Sequence, residues 1–198
     1  MKKADFQLIL DPSLDKFKDE CGVFGVYSNS PMDVAGMTYY GLYALQHRGQ
    51  ESAGIAVGNG EEVDIHKGLG LITEAFTKDD LNKLKGYIAI GHVRYSTAGG
   101  SHVSNCQPLV GSCRKRQLAI AHNGNLVNAN YLKDMLEEDG YMFQTNSDTE
   151  VILYILARYY KGDIVESLKV TMDYIKGAYA LVIMSQEELV AVRDPHGF

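Results

Sequence analysis

The sequence CGVFGVYS at residues 21–28 is apolar and rich in small residues, a pattern that predicts a buried β-strand. Further short runs of apolar or β-branched residues predict strands at residues 52–57, 63–67, 87–95, 109–111, 118–122, 178–184 and 189–193. Apolar positions at helical spacing predict helices at residues 33–46, 128–138, 148–160 and 164–176. Several strands follow one another through turns too short for parallel crossovers, so we expect an α+β layered fold rich in antiparallel sheet.

Local signals mark some of the predicted boundaries. Asp33 is a suitable N-cap for the first predicted helix. The sequence SDTE fits a capping box, in which Ser147 and Glu150 would each accept a hydrogen bond from the other's backbone N–H. The last two predicted strands flank Gln186 and Glu187, which indicates a closing hairpin.

The composition narrows the classes of function. The 198 residues, 45% of them hydrophobic and 22% charged, suffice for one packed core. A formal net charge of −6 and an isoelectric point near 5.5 leave no basic surplus for a phosphate polymer, so nucleic acid is not an expected partner. No segment reaches the roughly 18 apolar residues of a membrane span, and the N-terminal segment lacks the apolar core of a secretory signal. These features predict a cytoplasmic protein.

The three cysteines differ in their setting. Cys21, Cys106 and Cys113 form an odd set without CxxC spacing, so neither a disulfide framework nor a zinc site is expected. Cys21 is the candidate nucleophile, because Gly22 and Gly25 would let a ligand or another backbone approach its strand. We expect Cys106 and Cys113 to be structural or surface thiols.

A cysteine nucleophile needs a base, and the sequence offers two kinds. If residues 1–20 are removed, the α-amine of Cys21, with a pKa of about 7.7–8.0, becomes a base on the nucleophile's own residue. His92 and His122, at predicted strand ends, would instead allow a papain-like Cys/His pair. A third interpretation is that Cys21 only packs as a small apolar residue.

Two polar segments that follow apolar strands are candidate ligand-binding loops. In GHVRYSTAG, Arg94 offers a planar fork for a carboxylate and Thr97 a hydroxyl, although an arginine in a surface salt bridge would give the same pattern. In HNGN, the side-chain amide of Asn123 and the N–H of Gly124 could face a developing oxyanion. The Asn-Gly pair is also a hairpin turn signal.

Two further charged residues complete the candidate set. Asp148 lies at the start of a predicted helix, where a carboxylate complements the helix dipole whatever the function. Its functional alternative is to bind an α-ammonium group while Arg94 holds the matching α-carboxylate. Arg48, in LQHRGQ, could close over the same ligand or cap the preceding helix.

Six motifs, taken in order, resemble those of the class II glutamine amidotransferases, which are N-terminal-nucleophile hydrolases. The motifs are CGVFGVY, LQHRGQESAGIA, GHVRYSTAG, AHNGN, SDTE and the terminal VRDPHG, and the resemblance covers essentially all of residues 21–198. LQHRGQ and HVRYST look like the amidophosphoribosyltransferase branch, which opens purine synthesis. The glucosamine-6-phosphate synthase branch usually has YRGYDSAG and HTRWATHG at these places.

The resemblance implies a four-layer αββα sandwich that hydrolyses glutamine to glutamate and ammonia. It makes residues 1–20 a propeptide and residues 21–198 the glutamine amidotransferase domain. The resemblance implies that Cys21 is the nucleophile and, through its freed amine, the general base. It implies that Asn123 and Gly124 are the oxyanion donors, that Arg94 and Thr97 form the α-carboxylate site, and that Asp148 forms the α-ammonium site. Arg48 would close over glutamine.

The resemblance also implies parts that lie outside this chain. In the full-length family a phosphoribosyltransferase domain follows the RDP-G turn, so we expect this chain to be a fragment without a cofactor of its own. The absent domain would bind phosphoribosyl diphosphate and magnesium, and in some members an iron–sulfur cluster. The ammonia would serve formation of 5-phosphoribosylamine in a homo-oligomeric enzyme. A papain-like amidase and a glutamine-binding regulatory module are the rival interpretations.

Overall fold

The computed structural model describes residues 21–30, 32–95 and 102–197, and these ranges form two four-stranded antiparallel sheets. The first sheet contains β1 (Gly22–Tyr27), β2 (Ser52–Gly58), β3 (Val63–Leu69) and β4 (Ile88–Arg94), in the order β1-β4-β2-β3. The second sheet contains, in sequence order, β5 (Leu109–Cys113), β6 (Arg116–Leu126), β7 (Gly177–Met184) and β8 (Leu189–Arg193).

Helices cover the outer face of each sheet. They are α1 (Val34–Ala44), α2 (Ile72–Ala75), α3 (Lys78–Lys83), α4 (Ala129–Glu138), α5 (Asp148–Tyr159) and α6 (Ile164–Tyr174), with single 3₁₀ turns at Gln46–Arg48 and Val103–Asn105. Within the described ranges, none of the helices has the length and apolar character needed to span a bilayer.

Three apolar layers hold the sheets and helices together. One lies between α1, α2 and the first sheet, one between the two sheets, and the largest between the second sheet and α4, α5 and α6. Strand alternation builds this arrangement: on β4, Ile88 and Ile90 pack between the sheets, whereas Ala89 and Val93 pack on the helical side. Each fully buried isoleucine contributes about 1.5–3 kcal/mol by leaving water. The predicted four-layer αββα sandwich is confirmed.

The predicted helix starts are partly correct. Asp33 caps α1, and its carboxylate accepts from the backbone N–H of Gly36 at 2.9 Å. Ser147 caps α5 by accepting from Thr149 at 3.3 Å, but the predicted capping box is wrong. Glu150 instead accepts from the backbone N–H groups of Gln144 and Thr145 and from two hydroxyls, those of Thr145 and Tyr154. These donors outnumber the single N–H that a capping box would offer, so the carboxylate is drawn to the loop before the helix.

The predictions omit the two short helices of the first half. Thr77 and Asp80 form a capping box at α3, because Thr77 Oγ1 accepts from Asp80 N at 3.2 Å and Asp80 Oδ2 accepts from Thr77 N at 3.0 Å. A Thr-x-x-Asp pattern was therefore available as a signal. The closing hairpin is confirmed, since Met184 pairs with Leu189.

Candidate active site

A cavity of about 660 Å³ opens where five separated parts of the chain meet. Its described walls come from the residue before β1, the end of β4, the segment ahead of β5, the segment from the end of β6 to the start of α4, and the start of α5. The residues of its walls include Cys21, Arg94, Gln107, His122, Asn123, Gly124, Asn146, Ser147 and Asp148. The fold therefore brings five of the predicted site residues, from four different motifs, to one cavity.

Cys21 is the first residue of the described chain and directly precedes β1. Its carbonyl oxygen accepts a hydrogen bond from Arg48 Nε at 2.9 Å, and its Sγ lies 3.7 Å from the carbonyl oxygen of Tyr95. Its φ of 39° lies in the left-handed region, which a residue with a side chain rarely adopts. Such strain persists where the surroundings impose it, and it is often found at functional sites.

The two glycines of β1 do not serve the purpose that the sequence suggested. A Cβ on Gly22 would lie 3.0 Å from Val93 Cγ2 and 3.1 Å from Leu45 Cβ, and a Cβ on Gly25 would lie 2.8 Å from Val182 Cγ1. The space beside both glycines is filled by core side chains. The inference that they leave room for a ligand is wrong, and they instead allow close packing around the strand.

Strand β6 passes through the HNGN motif. The predicted strand end at His122 is wrong, because the ladder with β7 continues to Leu126. Asn123 pairs with Ala180 inside this ladder, so the hairpin interpretation of Asn-Gly is wrong as well. Asparagine and glycine are poor strand formers, and here the pairing with β7 overrides their local preference.

Gly124 occupies a position that only glycine fits. Its φ is 144°, and a Cβ placed there would lie 2.1 Å from the carbonyl oxygen of Ala178 on β7. A backbone atom cannot move aside as a flexible side chain can. The requirement for glycine therefore has a structural cause, in addition to any catalytic one.

Arg94 ends β4 with its guanidinium between two protein acceptors. Nη1 donates to the carbonyl oxygen of Asn105 at 3.0 Å, and Nε lies 3.8 Å from a carboxylate oxygen of Glu51. Because an arginine has five N–H donors, others remain for a ligand. The side chain of Asn105 also accepts from the backbone N–H of Asn146 at 3.3 Å, so Asn105 joins Arg94 to the segment just before α5.

Asp148 is the first residue of α5, and its carboxylate already has protein partners. Oδ2 accepts from the backbone N–H of Leu126 at 3.0 Å, and Oδ1 lies 3.4 Å from His122 Nδ1. Burial alone would raise the pKa of the Asp148 carboxyl. The interactions with His122 and with the backbone N–H groups of Leu126 and Thr149 outweigh burial, and the pKa is lowered. Asp148 is therefore a negative charge on the cavity wall at neutral pH.

The two histidines considered as rival bases are both buried. His92 Nε2 donates to the carbonyl oxygen of His122 at 3.1 Å, and burial lowers the pKa of His92 to about 3. The Nδ1 of His122 is directed at Asp148 and at Thr149 Oγ1, which is 3.3 Å away. Nothing in this arrangement favours either imidazole as a base for Cys21.

The remaining candidate residues have other settings. Cys106 is buried and Cys113 Sγ donates to the carbonyl oxygen of Ala157 at 3.2 Å, which fits the structural roles predicted for them. Arg48 contacts the backbone of Cys21, but it is not among the described residues of the cavity wall. Thr97 and the predicted propeptide lie outside the described residues.

Comparison with known proteins identifies the family of this chain. A family model described as a glutamine amidotransferase domain matches residues 92–198. A curated amidophosphoribosyltransferase of Lacticaseibacillus casei is 45% identical over 181 residues, which are 91% of this chain and 92% of that protein. The chain belongs to the amidophosphoribosyltransferase family, as its glutamine amidotransferase domain. The resemblance noted from the motifs is confirmed.

Longer amidophosphoribosyltransferases match this domain equally well. The proteins of Methanocaldococcus jannaschii and Bacillus subtilis are each 49% identical over 180 residues, which are 90% of this chain. A solved structure of the allosteric regulatory enzyme of purine biosynthesis matches with a TM-score of 0.83 at 49% identity, over 88% of this chain and 37% of that one. The chain spans 38% and 37% of the lengths of the two curated relatives.

Two residues beside the candidate site, Gln107 and Glu51, escaped the sequence analysis, and His122 was considered there only as a base for Cys21. Gln107 Oε1 accepts from the backbone N–H of His122 at 2.6 Å, beyond the last residue pair of β5 and β6. Glu51 stands beside Arg94, and His122 beside Asp148. The motifs offered a partial signal, since Glu51 and His122 belong to LQHRGQESAGIA and AHNGN.

Proposed function

We propose that this amidotransferase domain hydrolyses glutamine to glutamate and ammonia, with Cys21 as the nucleophile. In this proposal residues 1–20 are a propeptide, and residues 21–198 are the catalytic domain. The observation that carries the proposal is the meeting of Cys21, Arg94, Asn123, Gly124 and Asp148 at one cavity, although they lie in four separate motifs.

The chemistry begins with the thiol of Cys21. Once its nitrogen is a free α-amine, with a pKa of about 7.7–8.0, that amine accepts the thiol proton. The sulfur then attacks the side-chain amide carbon of glutamine, and the negative charge moves to the carbonyl oxygen. The amide of Asn123 and the N–H of Gly124 stabilise this oxyanion. The protonated amine returns its proton to the leaving ammonia, and water hydrolyses the resulting thioester to glutamate.

The charged residues of the cavity select a free amino acid. Arg94, with Thr97, binds the α-carboxylate, and Asp148 binds the α-ammonium group. Their existing protein partners support this assignment, because Asn105 and Glu51 hold the guanidinium while His122 and Leu126 hold the carboxylate. Arg48, through its contact with the Cys21 carbonyl, closes the nucleophile side of the site over glutamine.

The wider reaction follows from the family. We propose that the ammonia is used by a phosphoribosyltransferase domain of the full-length enzyme, where it converts phosphoribosyl diphosphate to 5-phosphoribosylamine in purine synthesis. Magnesium, and in some members an iron–sulfur cluster, would belong to that domain. Within the described ranges, no group of three His, Cys, Asp or Glu side chains is placed to hold a metal ion. We also propose a cytoplasmic, homo-oligomeric enzyme.

The nucleophile assignment is tested by replacing each of two cysteines. With the mature chain, which begins at Cys21, Cys21→Ala should abolish ammonia release from glutamine, whereas Cys113→Ala should retain most of it. Circular dichroism would check that both variants fold. Substantial turnover by a pure Cys21→Ala protein would contradict the proposal, and glutamine binding without turnover by the unaltered mature chain would favour a regulatory module instead.

A further inference from the structure

A chain of buried polar contacts connects Asp148 to the first sheet. His92, on β4, donates from Nε2 to the backbone carbonyl of His122 on β6 at 3.1 Å. The imidazole of His122 then presents Nδ1 to Asp148 Oδ1 at 3.4 Å and to Thr149 Oγ1 at 3.3 Å. The His122 side chain is only 1% exposed, and that of Asp148 is 21% exposed at the cavity. The buried imidazole therefore lies directly behind the accessible carboxylate.

Elementary hydrogen-bond chemistry fixes which atom of each ring carries a proton. A carbonyl only accepts, so Nε2 of His92 is the protonated nitrogen, and burial keeps this ring neutral by lowering its pKa to about 3. An ionised carboxylate also only accepts, and a hydrogen bond from His122 is one cause of the lowered pKa of Asp148, so the proton of His122 is assigned to Nδ1. Neither His92 Nδ1 nor His122 Nε2 has a hydrogen-bond partner among the described residues.

The orphaned Nε2 indicates what the buried His122 is used for. A buried polar atom without a partner costs free energy, and an apolar side chain at this position would avoid that cost. The one feature that an apolar replacement could not supply is the Nδ1 donor facing Asp148. Strand alternation also places His122 on the side of β6 that faces Asp148. His122 is directed toward α5, whereas Asn123 lies on the opposite face of the strand with Ala119 and Ala121.

We infer that His122 is a positioning residue that holds the Asp148 carboxylate oriented toward the α-ammonium group of glutamine. This inference rests on the proposed function. His122 acts on the Oδ1 side, and the backbone N–H of Leu126 acts on Oδ2. Two donors on different oxygens restrict rotation of the carboxylate and leave its remaining lone pairs for the ligand.

The test compares two substrates of the mature chain, glutamine and glutaramate, which is glutamine without its α-amino group. The kcat/KM value for glutamine is divided by that for glutaramate, and this ratio measures recognition of the α-ammonium group. His122→Asn retains an amide donor near the place of Nδ1, and His122→Leu has the same branched shape without a donor. His122→Leu should lower the ratio about 10-fold or more, whereas His122→Asn should keep most of it.

Two controls separate positioning from general damage to the fold. His92→Asn alters an equally buried histidine that does not contact Asp148, so any loss should affect both substrates alike and leave the ratio unchanged. Adding His122→Leu to Asp148→Ala should not lower the ratio further, because the carboxylate that His122 serves is already absent. If His122→Leu does not fold, His122→Gln takes its place, since its longer side chain carries the amide away from the Nδ1 position.

An unchanged ratio in the folded variant that lacks a donor at the Nδ1 position would overturn the inference, as would a fall of equal size in His122→Asn. Failure of the proposed function would look different. It would show already in the unaltered mature chain, as absent turnover of glutamine or as no preference for glutamine over glutaramate.

Discussion

The two walls of the cavity hold their functional groups in different ways. The wall formed by β6 and α5 carries Asn123, Gly124 and Asp148 within a continuous strand ladder and at a capped helix start. The wall formed by β1 and β4 carries Cys21 just ahead of one strand and Arg94 at the last position of another. The groups of the β6/α5 wall are therefore held within regular secondary structure, whereas those of the β1/β4 wall lie at the ends of strands.

The charged residues of the two walls also differ in how closely their protein partners hold them. Asp148 has donors at 3.0 and 3.4 Å, one of them a buried imidazole, while the Arg94 guanidinium has one acceptor at 3.0 Å and a carboxylate at 3.8 Å. Preorganised groups cost little to align when charge develops in a transition state. We therefore expect the β6/α5 wall to act in its present geometry, and the β1/β4 wall to become active only when the Cys21 amine is free.

The largest effect after loss of the nucleophile is expected at the oxyanion site of the β6/α5 wall. Asn123→Ala should lower kcat by about 10²–10³-fold with little change in glutamine affinity, because a preorganised donor acts mainly in the transition state. Steady-state kinetics on the mature chain would measure both parameters. A change confined to KM would show that Asn123 only binds the substrate.

An intermediate effect is expected when either of the two charged groups proposed to bind glutamine is removed. Arg94→Ala and Asp148→Ala should each raise KM about 10- to 100-fold, since each loses one charge-assisted contact. Arg158→Ala is a matched control that should leave KM unchanged, because Arg158 contacts Asp139 and the ring of Tyr159 and is not among the described residues of the cavity wall. If Asp148→Ala still rejects glutaramate as strongly as the parent does, Asp148 is only a helix-start residue.

The smallest expected effect concerns the stability of the β6/α5 wall. Asp148→Asn keeps an acceptor for Leu126 but loses the charge beside His122, so at neutral pH it should be less stable by roughly 1–2 kcal/mol. The folded-state pKa of Asp148 is lowered from its ordinary value of 3.8, so the parent's advantage exists above that value and is lost as pH falls through the folded-state pKa. Urea unfolding of both proteins from pH 7 to pH 3 measures the difference. An advantage that stays constant with pH would rule out a contribution from the charge.

Most of the fold was predictable because its signals are local. The buried strands β2 and β4 are near-continuous apolar runs, and both were located within about a residue of their ends. The end of β6 was missed, because Asn123 and Gly124 give a turn signal that only the distant β7 overrides. The capping box failed for a similar reason, since Glu150 has stronger partners in the preceding loop.

The candidate site was predictable in its principal residues but not in their supports. Chemistry and motif resemblance were enough to select Cys21, Arg94 and Asp148. The supports act across the chain, as when Gln107 accepts from His122 or Glu51 approaches Arg94, and no local pattern reports such pairs. These contacts become visible only when the neighbouring strands of each sheet are paired.

The central claim is that the nitrogen of Cys21 must be a free amine. With Glu20 attached, that nitrogen is a non-basic amide, which cannot accept the thiol proton. The most direct measurement uses a chain with a protease recognition sequence placed directly ahead of Cys21, assayed for glutaminase before and after cleavage, with the mass of each sample recorded. We predict almost no activity before cleavage, and afterwards a strong activity whose pH profile follows a group with a pKa of about 7.7–8.0. Equal glutaminase rates before and after cleavage would contradict the claim, provided that the mass shows the propeptide still attached in the uncleaved sample.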